Sequence, residues 1–142
     1  MRVSGFDRAL AALACLAGLL GVALSAAAAH IPGADSLKTA AQFLLFHAPA
    51  ILGLTGLGVL SLARPALARG AAGLLVLGLL LFCGDLSVRT WLQQPLFPMA
   101  APIGGFALMG GWLLGAIGAL VPGRRSPRHV GNSVAETHVT PT

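Results

Sequence analysis

Charge is scarce in this sequence: 9% of its 142 residues are Asp, Glu, Lys or Arg, against about a quarter in an ordinary soluble domain. So few charges cannot clothe a globule in water, and a soluble fold is excluded. Cysteine is scarce as well. Cys15 and Cys83 fall in different apolar runs, form no Cys-x-x-Cys pair and have no histidine at ligand spacing, so they read as small apolar fillers. No nucleophile motif, phosphate loop or dinucleotide fingerprint occurs at a strand–helix junction, and no strand is predicted. A metal site needs more ligands than the two histidines of the apolar region, His30 and His47, supply. Those two should also differ in depth by about 10 Å, which argues against a bis-histidine haem. No catalytic residue, cofactor or metal is therefore expected. The formal charge of +5 and the pI near 11.2 do not indicate a nucleic-acid partner. The nine basic residues behind them sit in short clusters between apolar runs, not along one face.

Hydrophobic residues, by contrast, make up 56% of the chain, and the mean hydropathy is +0.86. A bilayer core about 30 Å thick takes roughly 20 apolar residues of helix, and four stretches have that length. They cover about residues 9–29, 40–62, 71–92 and 100–121, the first without any charge. Backbone groups in lipid must be satisfied within their own segment, so the expected fold is all-α, a bundle of four transmembrane helices. Residues 122–142, rich in Pro, Gly, Ser, Thr and Arg, are expected to form a disordered basic and polar cytoplasmic tail.

Basic residues set the expected orientation. Arg2 and Arg8 precede the first span, Arg64 and Arg69 separate the second and third, and Arg124, Arg125 and Arg128 follow the fourth. With an even number of spans all three clusters fall on one side, which the positive-inside rule assigns to the cytoplasm together with both termini. In a bacterium the location is then the inner membrane. The Ala26–Ala29 stretch satisfies a small-x-small cleavage rule, but the apolar run is nearer a full span than a signal core of 7–15 residues. The first helix is therefore expected to be retained.

Few residues within the spans are able to carry chemistry. Asp85 and Arg89 stand four apart with the acid first, the preferred order for an ion pair on one helical face. Intramembrane charges cost at least about 2.5–3.5 kcal/mol each on insertion scales, so they need partners and often mark function. Counted from the cytoplasmic end of its span, Asp85 lies about 21 Å in, and His47, about 10 Å below the outer surface in the second span, is at nearly the same depth. Gln42 and His30 lie above them. A polar cluster of His47, Asp85, Arg89, Gln42 and His30 is expected in the outer half. It reads either as a hydrogen-bonded lock on helix register or as a proton-accepting site in an outward-facing cavity. Gly84, Gly104, Gly105 and Gly111 are expected to let helices approach closely.

These segments also resemble a known family. Ala28-Ala29-His30 is similar to a Gly-Ala-His ending of the first helix, and Phe43-Leu44-Leu45-Phe46-His47-Ala48 to an aromatic-Gln-x-x-His-Ala segment. Leu81-Phe82-Cys83-Gly84-Asp85-Leu86 resembles Leu-Phe-Ser-Gly-Ser-Leu, Ala101-Pro102-Ile103-Gly104-Gly105 resembles Thr-Pro-Ile-Gly-Gly, and Gly111-Trp112 matches a Gly-Trp. The family is domain-of-unknown-function family 423, which includes the small eukaryotic transmembrane protein 256. The resemblance covers about residues 8–120. It implies four transmembrane helices with an uncleaved first span, and it supplies no reaction. This chain departs from the pattern at Leu44, Asp85 and Arg89, and the last two have the character of a compensating pair.

Two functional readings follow. One is a non-enzymatic inner-membrane component, structural or partner-binding, whose surroundings are the bilayer and either copies of itself or another membrane protein. The other is a minimal proton-linked transporter or channel that uses the outer polar cluster.

Overall fold

Each helix begins and ends for a local reason. In a computed structural model of the chain, which describes residues 3–121, four helices follow one another: α1 Gly5–His30, α2 Asp35–Val59, α3 Pro65–Leu92 and α4 Ala100–Leu120. A reciprocal capping box starts α1, with Asp7 N donating to Ser4 Oγ (3.2 Å) and Ser4 N donating to Asp7 Oδ2 (2.9 Å). Proline opens α3 at Pro65, where its missing N–H costs nothing. Gln93 and Met99 take left-handed conformations (φ 54° and 72°), ending α3 and preceding α4.

The helices are offset from the apolar runs. α1 starts four residues before the expected span and so takes in Asp7, which makes the first helix charged at its start. α2 begins at Asp35, whose carboxylate accepts from Lys38 Nζ at 3.1 Å. It stops at Val59 because Leu60 and Ser61, the latter with φ 55°, turn the chain toward Pro65. Hydropathy marks what is apolar, whereas caps and turns mark where the helix stops. The expected tail, 122–142, lies outside the described residues.

Contacts between helices run in opposite directions along successive pairs. Gly18 lies against Ala48 and Gly21 against Leu45; Cys83 Sγ reaches the Ala40 carbonyl, while Gly58 lies against Ala68. Between α3 and α4 the sequence of close approaches is Gly78 to Leu108, Gly111 to Leu75, and Gly118 to Leu67. The bundle is thus up-down-up-down. One end carries the start of α1 and the end of α4, the other carries the α1–α2 and α3–α4 connections; these are the terminal end and the loop end below. α2 and α3 form the centre, around Ile51, Leu75, Leu79 and Ala72. α1 packs on α2 and meets α3 much less. α4 packs on α3, closely enough that a Cβ at Gly104 would stand 2.5 Å from Phe82 N and one at Gly111 2.7 Å from Leu75 Cδ2. Lipid supplies no hydrophobic force between helices, so such contacts between small residues and backbone hold them together.

Candidate functional site

Asp85 is the most enclosed polar side chain in the apolar region, with 0% of it exposed. Its Oδ2 accepts from Arg89 Nε at 2.6 Å, one helical turn on, and its Oδ1 accepts from the backbone N–H of Leu96 at 2.7 Å. The second bond reaches out of the helix into the α3–α4 connection. A carboxylate with both oxygens engaged thus ties that connection down, and the Arg89 side chain, 45% exposed, covers it from the loop end.

His47 belongs to a separate arrangement. Its Nδ1 lies 2.8 Å from the Phe43 carbonyl, and Trp112 Nε1 donates to its Nε2 at 3.1 Å. A carbonyl only accepts and an indole only donates, so the tautomer that satisfies both partners is neutral with its proton on Nδ1. The ring stacks on Phe43 (centroids 5.6 Å), Phe43 packs on Phe82 (4.6 Å), and Trp112 closes the other side (5.9 Å). These side chains, with Gly105, Leu108 and Met109, border an apolar cleft of about 350 Å³. The bond from Trp112 joins α2 to α4.

The expected single cluster is therefore two sites. His47 and Asp85 share no hydrogen bond, because equal depth does not fix direction around a helix axis: His47 faces α4, and Asp85 faces the α3–α4 connection. Gln42 and His30 are exposed and make no side-chain hydrogen bond among the described residues. The four glycines also divide. Gly104 and Gly111 lie in the close α3–α4 approach, whereas a Cβ at Gly84 or Gly105 would meet nothing within 4 Å.

A third polar site escaped the sequence reading. Asp7 is buried at the terminal end, where Arg69 grips it with two bonds, Nε to Oδ1 at 2.7 Å and Nη2 to Oδ2 at 2.8 Å. Ser4 Oγ adds a donor to Oδ2 at 2.8 Å. This bidentate pair bridges α1 and α3 across 62 positions. The available signal was Ser4-x-x-Asp7 directly before an apolar run, the sequence form of a capping box.

Among the described residues no buried side-chain nitrogen or oxygen lacks a partner, and no group of three or more His, Cys, Asp or Glu is placed to hold a metal ion. Four helices long and apolar enough to cross a bilayer, with their buried polar groups paired inside, define a small polytopic α-helical membrane protein. The chain belongs to the family described as "Protein of unknown function (DUF423)", which matches residues 23–105. It is 30% identical to the UPF0382 inner membrane protein YgdD of Escherichia coli strain K12, over 87% of this chain and 98% of that one. The YgdD proteins of E. coli O157:H7 and Shigella flexneri match to the same extent. No solved structure matches.

Proposed function

We propose that this is a four-pass inner-membrane protein with both termini in the cytoplasm, acting as a structural or partner-binding component and not as a transporter. The carrying observation is the closure of its polar groups: Asp7, His47 and Asp85 each have their partners within the chain. A proton relay needs titratable groups in series, and His47 and Asp85 are satisfied separately by an indole and by a guanidinium with a backbone N–H. An indole cannot accept a proton from the imidazole it donates to. The name of the YgdD relatives supports the inner membrane. Orientation rests on charge. At the loop end Lys38 and Arg89 are each matched by an aspartate, while the terminal end carries Arg8, Arg64 and Arg69 against Asp7, and the excess of cations belongs in the cytoplasm.

Purified protein in liposomes with an imposed pH gradient and an internal pH-sensitive dye tests this reading. The expected result is proton flux equal to that of empty liposomes. Flux above them that is lost in a His47→Leu variant would establish the transporter instead. For orientation, an impermeant maleimide added to intact spheroplasts of a strain lacking Cys15 and Cys83 should label Ser36→Cys and spare Ala66→Cys.

A further inference from the structure

α1 and α3 both lie on α2 and meet each other far less, with their polar contact near the terminal end. There Asp7 and Arg69 join them, and Phe6 lies against Gly73. Beyond that contact the two helices leave an apolar groove. Its first part, about 220 Å³, is bordered by Leu13, Leu16 and Leu20 of α1 and Val76 and Leu80 of α3, with Ile51 of α2 as floor. Its second part, about 320 Å³, shares Leu20, Leu79 and Leu80 with the first and continues past Gly84 and Ser87 to Trp91. From Val76 to Trp91 the groove runs about 22 Å along α3, somewhat more than one leaflet's half of a core about 30 Å thick.

We propose that this groove holds an acyl chain of an anionic glycerophospholipid in the leaflet at the loop end, with its phosphate against Arg89. The observations select this occupant by shape and charge. A helix, about 10–12 Å across with its side chains, cannot lie along a wedge whose walls are pinned together by a bidentate ion pair at one end; a single hydrocarbon chain can. The lining is almost wholly apolar, and the one hydroxyl along it, Ser87 Oγ, has its proton committed to the Cys83 carbonyl at 2.7 Å. At the open end the character changes. Trp91 stands exposed at the mouth, where an indole suits the headgroup level. One turn from Ser87 lies Thr90, which with Arg89, Gln93 and Ser36 borders a polar cleft of about 240 Å³. Arg89 uses Nε for Asp85, which leaves its outer N–H donors for a phosphate oxygen. Asp85 itself is fully covered, so the cleft presents the cation of the pair, and Asp35 nearby is matched by Lys38. A lipid held here requires no protein partner. It also accounts for the open space in front of Gly84.

Native mass spectrometry of the purified full chain tests it, with phosphatidylglycerol and phosphatidylethanolamine offered in equal amounts. The wild type should retain one phospholipid per chain, with phosphatidylglycerol favoured several-fold. Gly84→Leu projects a side chain into the groove from a position where a Cβ meets nothing within 4 Å, and should cut retention at least five-fold, while its thermal unfolding stays at or above that of the wild type. Leu80→Trp, a change at an exposed position bordering both parts of the groove, should act the same way and serves should Gly84→Leu unfold. Gly105→Leu also enters open space, but in the His47 cleft, and should retain lipid normally. The double change Asp85→Asn with Arg89→Gln should keep the lipid and lose the preference for phosphatidylglycerol. A wild type without bound lipid, or normal retention in folded Gly84→Leu and Leu80→Trp, overturns the proposal. So does a preference that survives the double change. Loss of a dimer in place of a lipid would make the groove a contact between copies of the chain, also against it.

Discussion

The two ends of the bundle use the same chemistry for different mechanical ends. Each has a fully enclosed aspartate gripped by a partly exposed arginine. At the terminal end the pair spans two helices, Asp7 of α1 with Arg69 of α3. At the loop end both members lie on α3, and the second carboxylate oxygen of Asp85 holds the Leu96 N–H in the next connection. One pair therefore sets a distance between helices, and the other sets the path of a loop. The partners left behind differ too. Without Arg69, the Asp7 carboxylate keeps two bonds from Ser4 and sits at a helix N-terminus, where negative charge is favoured. Without Arg89, Asp85 keeps one backbone N–H as its partner.

That contrast is broken or sharpened by a graded series of variants, measured as unfolding free energies in mixed micelles. Arg89→Leu should be the most damaging, at about 3 kcal/mol, the low end for stranding one member of a buried pair because Arg89 is itself half-exposed. Gly104→Ala follows at about 2 kcal/mol, typical of overpacking a close contact, since its new Cβ meets the backbone of Phe82. It should loosen the loop end alone, leaving a spin-label distance between the starts of α1 and α3 unchanged. Arg69→Leu should cost less than Arg89→Leu yet lengthen that same distance, the reverse of the Gly104→Ala pattern. If Arg69→Leu proves the more destabilising of the two arginine variants, the role assigned to the Ser4 cap is wrong. Trp112→Phe, which removes only the bond to His47 between α2 and α4, should cost about 0.6 kcal/mol, the usual worth of an interhelical hydrogen bond in a membrane.

Much of this architecture is legible in the sequence, and the illegible part has a common cause. Helix number and order follow from run length, and the antiparallel course from short connections, because lipid leaves the backbone so few alternatives. The Asp85–Arg89 pair is legible for the same reason that it is local: four residues along a helix is one turn. What the sequence hides is direction around the helix axis. Depth places His47 beside Asp85, yet the two face different neighbours. Spacing likewise cannot separate Gly104, pressed on Phe82, from Gly105, its chain neighbour, which opens on a cleft. Partners distant in the chain are hidden as well. Arg69 reads as one more charge in a topology-setting loop, and its grip on Asp7 emerges only once α1 and α3 are brought together.

The central claim, that the intramembrane charges are closed locks, is tested most directly by a double-mutant cycle on Asp85 and Arg89. Unfolding free energy would be measured for the wild type, Asp85→Asn, Arg89→Leu and the double variant. A lock predicts strong coupling, with the double variant more stable than either single one, because the lone changes each leave a charge without its partner. Additive losses, with the double variant the least stable of the four, would show that the two residues act separately and would contradict the account.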